Sequence, residues 1–465
     1  MAHITSQILY EVIKELCFRA NVILPKEEYN ALVELYKQEV EGNAKITLKQ
    51  ILTNAKIAYE TKRPLCQDTG FVTVFLEIGN KIQFDDESIE TVIQNAVKDA
   101  YKDFYFRKSI VNEPLIDRMN NGQNIPALIH TEFVEGDELK ITVSPKGGGC
   151  ENISALKMLK PADGLQGVKE FIIQTIKSAG SKPCPPIRIG VGIGSNFEGA
   201  AILSKKALLQ PIAQSELPEF ANELLNEINA LEIGAMGLGG NSTCFAVNIL
   251  QKPCHIASLP VALSVACHSS RHASAKISAN TISYQDDICN FYDFADDESA
   301  VVNLPEILTS DIEKIRALKS GEKIFLTGKI YTARDAAHKK LCELLKNNST
   351  LPIDIKNAII FYAGPCPASN EEIIGPIGPT TSARMDVYAP VLYKNGLLAT
   401  IGKGERSQEV IISINDNNAK YFTITGGVAA LLKSCVKSAK VVAYPELGPE
   451  AIYELEVEKL PLFVK

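Results

Sequence analysis

Three cysteines of this chain lie in settings that favour metal chemistry. Cys66 opens the segment Cys-Gln-Asp-Thr-Gly, Cys184 lies in Lys-Pro-Cys-Pro-Pro, and Cys267 precedes His-Ser-Ser-Arg-His. Thiolates far apart in sequence can converge on one iron–sulfur cluster, and a cubane cluster of four irons usually takes four of them. A cluster held by three thiolates keeps one iron open to bind a substrate as a Lewis acid. The three cysteines therefore predict a dehydratase.

The cysteines also allow a plainer interpretation. No pair has the close Cys-x-x-Cys spacing of common metal sites, and a buried cysteine is usually a small hydrophobic residue of the core. Cys150, in Lys-Gly-Gly-Gly-Cys, is a fourth candidate because of its glycine-rich segment. Core positions are predicted for Cys17, Cys244, Cys289, Cys342 and Cys435. The odd total of eleven cysteines, widely spaced, argues against a disulfide framework and favours a reducing compartment.

Cationic residues in turn-rich segments predict the charge of the substrate. Arg107, Arg334, Arg384 and Lys403 follow or precede glycines, prolines and hydroxyl residues near apolar strands. Solvated surface charge is the commoner fate of such side chains, but arginine forks bind carboxylates bidentately. Several of them together predict a di-anionic substrate. His255 enters an apolar segment, where a structural role and a catalytic role are both open.

Composition restricts the class of protein. The chain has 465 residues, 46% of them apolar and 22% charged, with a net charge of −7. This charge argues against nucleic acid as a partner, since phosphate binding needs a basic surface. The first residues lack the pattern of a signal peptide and instead predict a helix capped at Ser6. No apolar run reaches the roughly 20 residues of a membrane span, so we expect a soluble cytoplasmic protein.

Periodicity predicts mixed elements. The first 60 or so residues have helical spacing, and 127–143 alternates like two paired strands around the turn Glu135-Gly136-Asp137. The segment 146–152 is predicted to be a loop, because consecutive glycines are costly in a helix or strand. Further helices are predicted at 87–105, 167–178, 312–318, 336–345 and 428–438, and strands at 71–78, 187–193, 256–266, 323–327, 358–363, 398–401 and 441–443.

The resulting fold class is α/β (α+β mixed). We expect a large N-terminal cluster-binding domain over 1–285, an acidic linker over 286–300, and a smaller layered C-terminal domain over 301–465. The glycine-rich segment Gly190-Val-Gly-Ile-Gly194 lacks dinucleotide-binding spacing, and no glycine is followed by the Lys-Ser or Lys-Thr of a phosphate loop. We expect these glycines to let the backbone approach a cluster or a small anion.

Taken in order, the motifs of both halves resemble those of a known family. The resemblance is to the class I, iron–sulfur-dependent fumarate hydratases, with the α and β regions fused in one chain. The α-like segments are Cys66-Gln-Asp-Thr-Gly, Lys146-Gly-Gly-Gly, Glu151-Asn-Ile-Ser, Cys184-Pro-Pro, Gly237-Leu-Gly-Gly, His255-Ile-Ala-Ser-Leu-Pro and Cys267-His-Ser. The β-like segments are Gly328-Lys-Ile-Tyr-Thr-Ala-Arg-Asp, Gly378-Pro-Thr-Thr-Ser, Ile401-Gly-Lys-Gly and Glu446-Leu-Gly-x-Glu-Ala.

The resemblance implies a [4Fe-4S] cluster and a role for each matching residue. The cluster ligands fall on Cys66, Cys184 and Cys267, and Cys150, at a position that is commonly serine in the family, becomes a lining residue instead of a fourth ligand. Substrate binders fall on Gln67, Arg107, Arg334, Arg384 and Lys403. The family pattern puts the base at Thr380, whereas His255, with an unperturbed pKa near ~6.5, would be the choice from chemistry alone.

The expected activity is the reversible hydration of fumarate to (S)-malate. The resemblance implies a small dicarboxylate substrate, a homodimer, and a site to which both halves of the chain contribute. Asp68 and His255 are expected to form a pair that shuttles a proton to the departing hydroxide. Two alternatives stay open: a related dehydratase that acts on another hydroxy-diacid such as tartrate, and a non-enzymatic cluster protein for electron transfer or iron sensing.

Overall fold

The described part of the chain divides into two compact units, residues 1–292 and 293–465. The structure is a computed structural model, and it describes residues 2–40, 42–116, 118–269, 271–278, 281–285, 290–294 and 304–465. Helices and several β-sheets occur together, which confirms the predicted mixed α/β class. Across the described ranges, no helix combines the length and the apolar character needed to cross a membrane.

Unit 1 is built from helices that cover two main sheets. Its helices are α1 (Ser6–Val22), α2 (Lys26–Gln38), α3 (Asn43–Thr61), α4 (Ile89–Asp103), α5 (Gly148–Glu151), α6 (Gly164–Ala179), α7 (Phe197–Ala207) and α8 (Pro218–Asn229). Its strands are β1 (Ala2–Ile4), β2 (Phe71–Gly79), β3 (Ile82–Phe84), β4 (Leu128–Val134), β5 (Glu138–Lys146), β6 (Ala155–Leu159), β7 (Ile187–Ser195), β8 (Cys244–Cys254), β9 (Leu259–Cys267), β10 (Ala273–Ser278) and β11 (Thr281–Tyr284).

The first main sheet has the strand order β11-β10-β5-β2-β4. Helices α1 and α4 pack on it, and the apolar stripe of α1 (Leu9, Val12, Ile13 and Leu16) is fully buried in their shared core. The predicted helix therefore forms because its apolar face finds this sheet. Its cap is Thr5 instead of Ser6, since the Thr5 hydroxyl accepts a hydrogen bond from the Ile8 N–H at 3.2 Å.

The predicted pairing within 127–143 is wrong, although both strands exist. Strand β2 lies between them, parallel to β4 and antiparallel to β5. The turn at Glu135-Gly136-Asp137 reverses the chain, and its backbone also bonds to the turn that follows β2, where Lys81 N–H donates to Gly136 O at 3.0 Å. Alternation reports which face of a strand is buried, and it does not identify the neighbouring strand.

The second main sheet has the strand order β6-β9-β7-β8. Strand β9 runs antiparallel to β7, with Cys267 opposite Ile187. Because Ile187 follows Cys184 by three residues, this register brings the predicted ligands Cys184 and Cys267 to the same end of the sheet. Helices α6 and α8 share a buried apolar core with this sheet.

The glycines of β7 serve packing, which corrects the expectation that they approach a cluster or anion. A Cβ added at Gly190 would lie 2.2 Å from Ser204 O, and one at Gly192 would lie 2.3 Å from Ala200 O. Both acceptors belong to α7, so the helix backbone rests directly on the strand backbone.

Unit 2 is built around parallel strands with helices between them. Its strands are β12 (Glu306–Leu308), β13 (Lys323–Thr332), β14 (Ile359–Phe361), β15 (Ala399–Gly402), β16 (Lys420–Thr423), β17 (Val436–Ala443) and β18 (Ile452–Val464). Its helices are α9 (Ile312–Ala317), α10 (Asp335–Lys346), α11 (Ala389–Lys394), α12 (Gln408–Asp416) and α13 (Ala429–Ser434). Strands β12 to β16 are parallel neighbours, and β18 pairs antiparallel with both β13 and β16, so that the pairings close on themselves.

Two predictions in this unit need correction or restriction. The helix predicted at 428–438 ends at Ser434, and the chain continues as β17 from Val436, because that segment pairs with β18. The predicted acidic linker falls largely on 286–289 and 295–300, which lie outside the described residues. The boundaries 1–285, 286–300 and 301–465 stay predictions.

Candidate functional site

The turn between α3 and β2 carries Cys66, Gln67 and Asp68. Cys66 and Gln67 are buried, with exposed fractions of 8% and 6%, and the Cys66 thiol lies 3.6 Å from Gln67 Oε1. The chain leaves α3 through Lys62 in the left-handed conformation, a common helix ending, and then enters this turn. A cysteine, an amide and a carboxylate are thereby held side by side.

Asp68 is fixed by contacts from three parts of unit 1. Its Oδ2 accepts a hydrogen bond from Gly148 N–H at 3.0 Å, and its Oδ1 lies 3.3 Å from Arg107 Nη2. Its backbone carbonyl accepts a bond from Arg271 Nη1 at 2.6 Å. The structure therefore brings together Asp68 and Arg107, two of the residues that the sequence singled out.

Arg271 is a central residue that the sequence reasoning did not assign to the site. It is only 8% exposed, donates to Asn21 Oδ1 of α1 at 3.2 Å, and interacts electrostatically with Cys66 and Cys267. A buried cation needs anionic or hydrogen-bonding partners, and here the thiol groups and the Asp68 turn supply them. Its position four residues after Cys267 was the available signal.

The segment 146–152 was predicted to be a loop, and this is wrong for part of it. Gly148–Glu151 form one helical turn, α5. The cost of ordering glycines is offset where Gly148 N–H binds Asp68. Lys146 holds the other side of the turn, with its Nζ 2.9 Å from Glu151 Oε2 and 2.9 Å from Ser154 Oγ. Burial acts to raise the pKa of Glu151, but Lys146 and Lys205 prevail and lower it to about 2.

Cys184 has a backbone conformation that is rare for a non-glycine residue. Its φ is +58°, its side chain is buried, and its N–H donates to Ser181 O at 3.1 Å. Left-handed backbone at such a residue costs about 1–3 kcal/mol and is concentrated at functional sites. The prolines on either side of Cys184 suggested a rigid position, and the structure shows a strained backbone there.

The thiols of Cys66, Cys150, Cys184 and Cys267 lie near one another. Cys267 interacts electrostatically with Cys150 and Cys66, and Cys150 also interacts with Cys184. Burial raises the pKa of Cys66 to about 12. The neighbouring Cys150 thiol, helped by His268 and Arg271, holds the pKa of Cys267 well below its usual range, and the interaction with Cys267 together with burial raises the pKa of Cys150.

This thiol set fits an iron–sulfur cluster better than it fits a single ion. Among the described residues, no three His, Cys, Asp or Glu side chains are grouped closely enough to hold one metal ion. In a cubane cluster each thiolate binds a different iron, so its ligands need not meet at a single point. Burial, the lack of disulfides at Cys66, Cys150 and Cys267, and the nearby Arg271 cation suit an anionic sulfur-rich group.

His255 is not brought to Asp68 within one chain, so the expected proton-shuttling pair does not form there. It lies exposed in the turn between β8 and β9, while Cys267 ends β9. At about 3.3 Å per residue, the length of β9 puts roughly 25–30 Å between them. The sequence could not exclude this pair, because it did not give the direction of β9 relative to the thiols.

In unit 2, cationic residues follow the carboxyl ends of neighbouring parallel strands. Thr332 pairs with Phe361, and Phe361 pairs with Ile401, so the residues that follow β13, β14 and β15 share one edge of the sheet. Arg334 lies two residues beyond β13, and Lys403 directly follows β15. The carboxyl ends of parallel strands are the usual ligand-binding edge of α/β sheets.

Arg384 is held against Thr380 by a carboxylate that the sequence reasoning missed. Its Nε and Nη2 donate to the two carboxylate oxygens of Asp335 at 3.0 and 2.6 Å, and its Nη1 donates to Thr380 Oγ1 at 3.2 Å. Thr380 is fixed in turn, because its N–H donates to Tyr362 O at 2.7 Å. The predicted base and its predicted cation are therefore in direct contact.

Arg334 is oriented by Glu450 and Gly364. Its Nη2 lies 3.2 Å from Glu450 Oε1, and Glu450 Oε2 also accepts a bond from Ala336 N–H at 3.2 Å. A Cβ at Gly364 would lie 3.1 Å from Arg334 Cδ, so the guanidinium passes closely over this glycine. Glu450 lay in the recognised segment Glu446-Leu-Gly-x-Glu-Ala, but its contact with Arg334 needs the folded chain.

Comparison with known proteins gives a consistent family. Residues 10–276 match the family described as fumarate hydratase (Fumerase), and residues 275–465 match that described as fumarase C-terminus. The anaerobic class I fumarate hydratase of Escherichia coli K12 is 30% identical over 467 residues, covering 95% of this chain and 85% of the relative. Fumarate hydratase 2 of Leishmania major is 29% identical over 452 residues, covering 92% and 79%.

A third relative matches just over half of the chain. This protein of Methanocaldococcus jannaschii, named for the α subunit of an L(+)-tartrate dehydratase, is 46% identical over 277 residues, which is 57% of this chain and 96% of the relative. Proteins with these names are hydro-lyases, the class of enzyme that the fold and the matches define. The chain belongs to the class I fumarate hydratase family. This membership confirms the resemblance and argues against a non-enzymatic cluster protein.

Gly147 gives a test of how tightly the Asp68 turn is packed. A Cβ at Gly147 would lie 2.9 Å from Asp68 Oδ2 and 3.2 Å from Arg271 Nη2, whereas one at Gly148 meets no heavy atom within 4 Å. We expect Gly147→Ala to lower the unfolding free energy of the cluster-free protein by about 1–3 kcal/mol. Gly148→Ala, the matched control, should change it far less. Urea unfolding followed by circular dichroism measures both, and equal effects would contradict this packing.

Proposed function

We propose that the protein catalyses the reversible hydration of fumarate to (S)-malate with a [4Fe-4S] cluster. Cys66, Cys184 and Cys267 would hold the cluster. The observation that carries the proposal is the gathering of these thiols, two of them buried, beside the Asp68–Arg107 pair, in a chain that matches its family along both units. When bound, a cluster with an uncoordinated iron supplies a Lewis acid for the substrate hydroxyl.

The cations of the chain suit a dicarboxylate substrate. Arg107 in unit 1, and Arg334 and Lys403 in unit 2, would bind carboxylates, with Gln67 as a neutral donor. Arg334 is pre-oriented by Glu450 at 3.2 Å, which lowers the entropy lost when a carboxylate binds. Cations in place before the reaction stabilise the charge that develops on the carboxylate in the transition state.

Thr380 is the proposed base in the dehydration direction. It would remove the proton from the carbon adjacent to the one that carries the hydroxyl group. A hydroxyl is a weak base, but Arg384 Nη1, at 3.2 Å from Thr380 Oγ1, would stabilise the alkoxide. Two further donors of Arg384 already bind Asp335, so support of Thr380 is the role that the geometry of Arg384 favours over direct substrate binding.

Asp68 would transfer a proton to the departing hydroxide. Its carboxylate is fixed by Gly148 N–H at 3.0 Å and by Arg107 at 3.3 Å, so one orientation is set before substrate arrives. A positioned carboxyl group within hydrogen-bond reach is what general acid–base catalysis requires.

Dehydration of tartrate is the second candidate. The observation that favours it is the 46% identity to the Methanocaldococcus jannaschii protein over 57% of the chain, against 28–30% identity to fumarate hydratases over nearly the whole chain. Both reactions remove water from a hydroxy-diacid, so the thiols and cations suit either substrate. The fused arrangement of both units, which is matched in the fumarate hydratase relatives, supports fumarate.

Anaerobic reconstitution followed by substrate comparison tests the proposal. We expect the reconstituted protein to show cluster absorbance and to convert fumarate and (S)-malate at least tenfold faster than either enantiomer of tartrate. Cys184→Ser should lose bound iron, whereas Cys244→Ser, which alters a buried cysteine of β8, should keep it. Faster turnover of tartrate would favour the second candidate, and full iron content in Cys184→Ser would refute the ligand set.

Substitution of Arg384 tests its support of Thr380. Loss of one pre-organised donor to developing charge typically lowers kcat by about 10²–10³-fold, and we expect Arg384→Ala to do so with unchanged cluster absorbance. Arg316→Ala is the matched control, because this arginine of the same unit contacts Glu313 at 3.6 Å and Asn357 at 3.4 Å instead of Thr380. If Arg384→Ala raised KM and left kcat intact, its role would be substrate binding instead.

His255 retains a proposed catalytic role only through a homodimer. It is exposed, and the length of β9 separates it from the thiols of its own chain. We propose that it reaches the thiol site of a second copy of the chain, which would make the site incomplete in a monomer.

Mixed oligomers test this assignment. His255→Asn and Cys66→Ser should each be inactive alone, but their co-expression should restore roughly a quarter of the wild-type activity, since half of the random dimers carry one complete site. Co-expression of His255→Asn with wild-type chain controls for subunit exchange. An active His255→Asn protein would remove the residue from the mechanism, and failed restoration would remove the shared site.

A further inference from the structure

Two segments of unit 2 that carry proposed site residues lie side by side. The base segment, residues 379–384, contains Thr380, and the lysine segment, residues 402–406, contains Lys403. The two segments form one parallel β-bridge, and Ser382 N–H donates to Lys403 O at 2.9 Å. The backbone therefore brings the proposed base and the proposed carboxylate-binding lysine into neighbouring positions.

Tyr421 of β16 binds both segments through a single hydroxyl group. Its Oη lies 2.9 Å from Ser382 Oγ and 2.6 Å from Gly404 O. A carbonyl oxygen can only accept, so the one proton of Tyr421 goes to Gly404 O, and the Ser382 hydroxyl donates to the tyrosine oxygen. Tyr421 is 4% exposed and Ser382 is fully buried, so loss of either bond leaves a buried polar group unsatisfied.

The surroundings of Tyr421 fix its ring and its serine partner. The guanidinium of Arg406 lies 5.0 Å from the centroid of the Tyr421 ring, and its Nε donates to Asp386 Oδ1 at 2.7 Å. A buried cation held by a carboxylate keeps its place, and its contact with the ring orients the tyrosine. On the other side of the bond, a Cβ added at Gly402 would lie 2.0 Å from Ser382 Oγ. The Ser382 side chain is therefore packed directly against the end of β15.

We propose that Tyr421 and Ser382 are positioning residues that hold Thr380 and Lys403 at the separation one dicarboxylate requires. This role deepens the proposed function, on which it rests. Arg384 supports Thr380 alone, whereas Tyr421 relates the whole base segment to the lysine segment. A base and a cation that act on the same small substrate must keep a fixed distance, since a misplacement of about 1 Å can lower the rate by about 100-fold.

Kinetics of two tyrosine variants of the full-length, reconstituted protein test the positioning role. We expect Tyr421→Phe to lower kcat by about 10- to 100-fold and to raise KM for (S)-malate by about threefold, with unchanged cluster absorbance. Tyr393→Phe is the matched control, because it removes a buried hydroxyl that pairs with Thr400 Oγ1 at 2.6 Å and should leave both constants unchanged. A merely structural role would reduce the number of active molecules and leave KM as it is.

Hydrogen exchange measured by mass spectrometry gives a readout that does not depend on turnover. In the full-length proteins without substrate, Tyr421→Phe should speed amide exchange in the base segment, and Tyr393→Phe should not. Equal exchange there in the wild type and both variants would overturn the positioning role even in an active enzyme. A reconstituted wild-type protein that converts neither fumarate nor tartrate would instead overturn the proposed function.

Substitution of Ser382 tests whether Tyr421 acts through their contact. Ser382→Ala should lower kcat in the wild-type background but by less than about twofold in Tyr421→Phe, where the bond is already lost. Losses that simply multiply would overturn the contact as the source of the effect. If Tyr421→Phe fails to fold, Ser382→Ala takes its place, and unchanged exchange of its base segment would overturn the proposal.

Discussion

The buried guanidinium of Arg271 is the contact on which the thiol site of unit 1 depends. It binds the backbone carbonyl of Asp68, reaches Asn21 of α1, and lies within electrostatic range of Cys66 and Cys267. Leaving water is costly for a cation, so its partners must stay in place to offset the cost. This requirement fixes the turn at Asp68 against the end of β9, and it gives negatively charged sulfur a nearby positive charge.

The two main sheets of unit 1 position different parts of the site around Arg271. The sheet containing β2 supports the Cys66 turn and the strand that leads into the glycine turn α5. The sheet containing β7 and β9 aligns Cys184 with Cys267 through the register of Ile187 and Cys267. Helix α7 rests on β7 over Gly190 and Gly192, and this part of the strand is buried under the helix.

Unit 2 achieves pre-organisation in another way. Each of its proposed site residues is oriented by a carboxylate or a backbone carbonyl. Asp335 orients Arg384, Glu450 orients Arg334, and the carbonyl of Tyr362 binds the backbone of Thr380. A hydroxyl can serve as a base only if charge nearby stabilises its anion, and the 3.2 Å contact between Arg384 and Thr380 is the feature that makes such a base chemically reasonable.

Sequence patterns predicted the location of many helices and strands, because the spacing of apolar residues indicates which face of an element is buried. Helices α1, α4, α6 and α10 and strands β2, β7, β9 and β13 occur where apolar spacing predicted them. Predictions were wrong where a segment's structure depends on contacts with distant segments of the chain. Strand β2 lies between β4 and β5, which had been expected to pair with each other. The segment after α13 is a strand instead of a helix because it pairs with β18. In the run of glycines, a hydrogen bond to Asp68 stabilises a helical turn.

By itself, the sequence determined the residue types and the family, since ordered motifs can be recognised without any coordinates. It named the cysteines, Asp68, Arg107, Arg384 and Thr380. Only the tertiary structure decided which of these meet. It aligned Cys184 with Cys267 through the register of β7 and β9, and it added Arg271, Asp335 and Glu450 as partners. It also separated His255 from Asp68 by the length of β9. The reason is physical: contact depends on strand direction and register, and these are set by pairing between segments far apart in the chain.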